Sequence, residues 1–153
     1  MKMDYNKILT DEEFMEIKQH GSSAYPFQYY YDNLELFDFH CIEWHWHREF
    51  EFLYVESGQV TCGIGEKKII LSEGEAIFIN SKILHQFYAS SDGVIPNFVC
   101  MPEFIAPENS LIYKKYILPI ISSNIYFQRF QTDELWQTKI IQTMRKIMEN
   151  VTM

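Results

Sequence analysis

The chain has 153 residues, 47% of them hydrophobic and 22% charged, which suffices for the core of one compact domain and excludes wholesale disorder. Thirteen lysines and arginines against 21 acids leave a formal net charge of −8, so this stretch is a poor nucleic-acid surface in its own right, because phosphate contacts need clustered positive charge. Cys41, Cys62 and Cys100 have no paired spacing, which argues against a disulfide framework or a cysteine zinc site and for buried, unreactive thiols in a reducing cytoplasm. The first residues lack the apolar core of a secretion signal. No run approaches the roughly 20 apolar residues of a membrane span, so a membrane is not an expected partner.

Thr10 and Glu13 have the spacing of a capping box, and with Phe14, Ile17 and a terminating Gly21 they predict a helix over residues 10–21. The aromatic run Tyr25–Tyr31 has no helical period. It reads as an extended arm, either an edge strand or a lid over a pocket. From about residue 34 to 105 the texture changes to short apolar runs cut by turns, at 36–42, 51–55, 59–64, 67–71, 76–79, 84–88 and 95–101. Many short strands with regular turns predict a sandwich or barrel.

After residue 106 the strands stop. Residues 107–121 read as one or two short helices interrupted near Pro119. Residues 133–150 form the clearest helix, capped by Thr132 or Asp133, with an apolar stripe of Trp136, Ile140, Met144, Ile147 and Val151 widened by Leu135, Ile141 and Met148. That stripe either docks on its own barrel or pairs with a second copy, and Trp136, Ile140, Met144 and Ile147 are the candidate dimer contacts. The domain plan is therefore an N-terminal helix and arm over 1–33, a β-barrel over 34–105, and a helical dimerisation or linker segment over 106–153.

The chemistry concentrates in His45-Trp46-His47-Arg48-Glu49-Phe50-Glu51, with His85 in a later strand. Side chains two apart on a strand share a face, so His45 and His47 point together and Trp44 and Trp46 point away. With Glu51 and His85 they form a ligand set that could hold divalent iron, manganese, zinc or nickel. The alternative is that these polar residues hydrogen-bond one another and close the mouth of a pocket. Tyr30, Leu53, Phe78 and Phe87 are candidates for its walls.

The spacing HxH, three residues, Glu51, six residues, Gly58 resembles the first motif of the cupin family, and Gly74, five residues, Asn80-Ser81-Lys82-Ile83-Leu84-His85 resembles its second. That resemblance implies a mainly-β fold, a cupin-type double-stranded β-helix or jelly-roll barrel with an N-terminal arm and C-terminal α-helices. The chain departs from the motifs at four places. Phe39 stands where the first motif opens with Gly, Asn80 and Lys82 replace a Pro and a Gly of the second, and Ala89 replaces its final Asn.

A longer likeness, in residues 45–58, in 71–85 and in the helices that follow, resembles the effector-binding domain of AraC-type transcription regulators. It implies a non-enzymatic, cytoplasmic sensor whose effector, a sugar or other metabolite, enters the barrel and orders the arm. It further implies a homodimer, with DNA reached only through a C-terminal helix-turn-helix domain not contained in these residues. No cofactor is required beyond the divalent metal the four residues could hold. A standalone metal-dependent cupin enzyme and a metabolite-binding module are the alternatives.

Overall fold

Alternating apolar strands pair into two antiparallel sheets in the computed structural model, which describes residues 7–152. The part of the leader reading that rests on residues 1–6 lies outside the described residues. One sheet has five strands: β1 (Phe27–Asn33), β3 (Phe50–Tyr54), β6 (Ala76–Ile79), β8 (Val94–Cys100) and β9 (Phe127–Phe130), in spatial order β1-β8-β3-β6-β9. The other has β2 (Cys41–His45), β4 (Val60–Ile64), β5 (Lys67–Leu71) and β7 (His85–Tyr88), in order β2-β7-β4-β5. Apart from the β4–β5 hairpin, neighbours in each sheet are distant in sequence, as a jelly-roll sandwich requires.

The sheets enclose one core. Leu53 and Val55, Ile77 and Ile79, and Ile95 come from the five-stranded sheet, and they meet Ile42, Val60, Cys62, Ile64, Leu71 and Phe87. The opposite parity of the same strands builds a second core. Phe50 on β3, Ala76 and Phe78 on β6, and Phe98 and Cys100 on β8 pack under Ile141, Met144 and Met148 of the long helix and under Tyr113 and Ile117. Central strands buried on both faces explain why β6 reads as a continuous apolar run, and β8 as one broken only by Asn97, rather than as clean alternations.

The helices lie outside the sandwich. They are α1 (Pro102–Ile105), a π-helical turn Tyr113–Ile117 that runs into α2 (Leu118–Ile121), and α3 (Leu135–Val151). Pro119 sits inside the first turn of α2, where its missing N–H is unneeded, so it does not interrupt the segment. Asn80 ties this segment to the sandwich: Nδ2 donates to the carbonyls of Ile120 and Ile125, each at 2.8 Å, and Oδ1 accepts from Ser81 N at 2.7 Å. Among the described residues no helix is long and apolar enough to cross a membrane.

Three local expectations differ from the structure. Residues 10–21 are not a helix but a looped strap. Asp11 Oδ1 accepts from Glu13 N and Met15 N, forming a side-chain turn that competes with helix initiation, and Trp46 pins the loop. Its main chain bonds Phe14 O and Glu16 N, and its indole N–H donates to Glu13 O. The expected strand at 36–42 starts only at Cys41, after two 3-10 turns at Leu34–Leu36 and Asp38–His40. The sheet also reaches beyond the expected 34–105, since β1 and β9 are members of it.

Candidate functional site

The four residues of the ligand set come from both sheets. Glu51 projects inward from β3, paired across the ladder with Ile79 and Val99. His85 opens β7 and His45 ends β2, directly paired with each other. Ile42 pairs with Phe87 and His45 with His85, so β2 spends three residues where β7 spends two. This bulge turns His45 onto the same inner face as Ile42, which strict alternation forbids. His47 follows in the turn toward β3.

All four side chains are buried, with His85 wholly inaccessible, and their nearest donor atoms lie within 4.8 Å of one another. Each imidazole is oriented by the backbone. Nδ1 of His45 lies 2.7 Å from Glu43 O, that of His85 2.7 Å from Ile83 O, and that of His47 3.1 Å from Glu49 O. A carbonyl only accepts, so these contacts place the protons on Nδ1 and aim the Nε2 lone pairs at the centre. Nε2 of His47 is 3.1 Å from Glu51 Oε1, whereas Nε2 of His85 is buried without a hydrogen-bond partner.

The electrostatics follow from this packing. Burial, and then the neighbouring His85, holds the His45 imidazole well below its usual range. Burial acts the same way on His47, but the hydrogen bond and charge of Glu51 outweigh it and raise that imidazole. Burial would raise the Glu51 carboxyl, yet the hydrogen bond from His47 and the charges of the imidazoles hold it well below the carboxylate range. Once the His47 proton is displaced, three converging imidazole lone pairs, among them the orphaned Nε2 of His85, and one carboxylate fit a divalent cation. Such an ion, held by His45, His47, Glu51 and His85, would act as a Lewis acid toward an oxygen-bearing ligand.

Beside this cluster opens a cavity of about 510 Å³, a size suited to a small metabolite. His45, His47 and Glu51 form part of its wall without His85, and Tyr30, Leu53 and Phe87 also line it. Phe78 does not. It has the opposite parity to Ile77 and Ile79 on β6, and it packs in the second core beneath α3. The strap forms part of the wall: Glu16, Lys18 and His20 line the cavity, and His20 hydrogen-bonds Tyr30 through Nδ1 and Glu16 through Nε2.

Asp32 on β1 and Asn97 on β8 complete the polar wall, with Asn97 Nδ2 donating to Asp32 Oδ2 at 2.9 Å. Sequence reasoning passed over Glu16, His20, Asp32 and Asn97. The parity of Tyr30 and Asp32, and the polar Asn97 between inward-facing Ile95 and Val99, were the available signals. Trp44 and Trp46 are half-buried, and neither lines the cavity. Of the candidate dimer contacts, Met144 is buried within its own chain, Ile140 and Ile147 are half-buried, and Trp136 is half-exposed. Cys62 and Cys100 are buried and Cys41 half-buried, and burial pushes the Cys41 thiol to about 11 and the Cys100 thiol to about 12.

A family model described as a cupin domain, Cupin_2, matches residues 41–98. Among curated proteins, the uncharacterized HTH-type transcriptional regulator YdeC of Bacillus subtilis (strain 168) is 26% identical over 144 residues. The match covers 92% of this chain and 48% of that regulator, so the chain spans about half its relative's length. Among solved structures, a cupin-2 domain containing protein from Shewanella frigidimarina NCIMB 400 shares 22% identity at a TM-score of 0.42, over 47% of this chain and 68% of that one. A predicted oxalate decarboxylase from Thermotoga maritima shares 20% identity at a TM-score of 0.38, over 40% and 56% of the two chains. The sandwich is a jelly-roll of the cupin type, and the likeness to the cupin domain model falls on residues 41–98, which carry the four-residue cluster.

Proposed function

We propose that this chain is the effector-sensing and dimerisation part of an AraC-type, helix-turn-helix transcription regulator, working in the cytoplasm and not as an enzyme. One observation carries the reading. The likeness to the Bacillus regulator extends over 92% of the chain, well beyond residues 41–98. The strap-lined cavity supports it further, because a ligand bound against the strap changes the free energy of strap placement and so biases whatever the domain is joined to. The half-exposed stripe of Trp136, Ile140 and Ile147 is the proposed face toward a second copy.

The test is the natural protein itself. Its intact mass should approach twice 18.3 kDa, and it should protect a specific DNA segment in a footprint that changes when a cavity ligand is added. A natural chain of 18.3 kDa that protects no DNA overturns the reading. A second reading, a metal-dependent cupin enzyme, draws on the unpartnered His85 Nε2 and the converging ligand set. Metal-dependent turnover of a small organic acid that vanishes in Glu51→Gln would favour it.

A further inference from the structure

We propose that the β1 wall of the cavity is an ammonium subsite, made by the face of the Tyr30 ring and the Asp32 carboxylate, through which the cavity takes a small molecule bearing a primary amine. The inference rests on the cavity being the effector site and specifies the chemistry of what enters it. Tyr30 and Asp32 lie two apart on β1, opposite Asn97 and Ile95, so both project into the cavity. The Asp32 carboxylate receives one side-chain hydrogen bond, from Asn97, and no cation stands within ion-pair distance of it among the described residues. Its charged neighbours across the cavity include Glu16 and Glu51, both of its own sign. A half-buried carboxylate so placed is short of a counter-ion, and burial followed by those charges pushes it up to about 6.

The second observation is positive. Lys18, carried by the strap and exposed to solvent, places its ammonium 4.9 Å from the centroid of the Tyr30 ring. Its charge is the one that draws Asp32 downward. The protein thus sets an ammonium of its own at an aromatic face beside an undercompensated carboxylate, an arrangement that favours cations. A ligand amine can take that place, releasing Lys18 to solvent and with it a contact of the strap. A hydroxyl could hydrogen-bond Asp32 but would leave its charge uncompensated.

The test is calorimetric titration of the metal-stripped chain at pH 7.5, where Asp32 is ionised, with matched probes: 1,4-diaminobutane against 1,4-butanediol, and glucosamine against glucose. The amines should bind at least about tenfold more tightly than their neutral partners. Asp32→Asn should remove that preference, and Lys18→Met should tighten amine binding severalfold by deleting the internal competitor. Equal affinity for neutral partners, or amine binding indifferent to Asp32→Asn, overturns the ammonium subsite and leaves the effector cavity standing. If no probe of either charge binds, the ammonium subsite falls, and the effector reading stands or falls by the DNA footprint.

Discussion

Nε2 of His85 lies 3.7 Å from Oε1 of Glu51, inside the distance at which charges interact and beyond that of a hydrogen bond. The same carboxylate oxygen is 3.1 Å from Nε2 of His47, so a raised, protonated His47 satisfies Glu51 while His85 is left without a partner. A cation shared by the four residues resolves this arrangement, and a proton on His47 resolves only half of it.

Zinc should therefore stabilise the protein. At a free concentration 100 times its dissociation constant the gain is about 2.7 kcal/mol. His85→Leu should abolish that gain. It should leave the metal-free protein at least as stable, since a buried unpaired nitrogen is replaced by apolar volume. Thermal denaturation with and without zinc, together with metal content by mass spectrometry, checks both halves. A zinc-induced shift that survives His85→Leu would place the metal elsewhere.

Asp32 should make the fold less stable as pH rises. Its folded-state value is about 6 against 3.8 for the free side chain, so between these values the folded chain holds more proton than the unfolded chain. Stability then falls as pH climbs through that window, and the penalty is complete above about 6. Because the group is half-buried, the penalty at pH 7 is on the order of 1–2 kcal/mol. Asp32→Asn keeps an acceptor for Asn97 and removes the charge. It should stabilise the protein by that amount at pH 7 and by almost nothing at pH 3.5. Urea titrations at the two pH values decide it, and a variant that is destabilised at pH 7 would show that Asp32 has a compensating partner.

Phe78 and Phe87 are both buried but belong to different cores, and substitution should separate them. Either change to alanine should cost about 3–5 kcal/mol. Phe78→Ala empties space beneath α3, away from the cavity, so ligand binding in the cavity should persist wherever the protein remains folded. Phe87→Ala removes part of the cavity wall and should weaken binding as well. Paired urea denaturation and ligand titration of the two variants measure the difference. Equal loss of ligand affinity in both would contradict the two-core arrangement.

The central strands were legible because their apolar runs are bounded by turn residues. The run at 51–55 became Phe50–Tyr54, and that at 76–79 became Ala76–Ile79. The spacing of His45, His47 and Glu51 also brought the cluster into view. What sequence periodicity could not reveal was the tertiary choice. The β2 bulge that turns His45 inward exists only relative to β7. The strap carries a plausible helix start at Thr10, but isolated short helices are marginal, and bonds to Trp46 from outside the segment decide its path. Strand β9 is four residues long, Phe127–Phe130, and its partner β6 lies some fifty residues earlier, so no local pattern marks it.

The departures from the cupin motifs have a structural counterpart that leads to a last prediction. Phe39 and Lys82, which stand where the motifs carry glycine, have φ of 58° and 63°. The backbone has kept the left-handed shape that glycine favours and imposes it on residues with a Cβ. Neither side chain has burial to lose, since Phe39 is 93% exposed and Lys82 is exposed. Lys82 N still donates to His47 O at 2.8 Å, so its left-handed turn holds one ligand of the cluster in place. Phe39→Gly and Lys82→Gly should each stabilise the protein by about 0.5–1 kcal/mol, the relief of backbone strain outweighing the greater freedom of glycine in the unfolded chain. Gly58→Ala is the opposite case. Its φ is +82°, and a Cβ there would stand 2.2 Å from the carbonyl oxygen of Asp92, so it should destabilise by more than either glycine substitution stabilises. Chemical denaturation of the three variants tests the set. Loss of stability in Lys82→Gly would mean that the lysine side chain, and not the turn, supports His47.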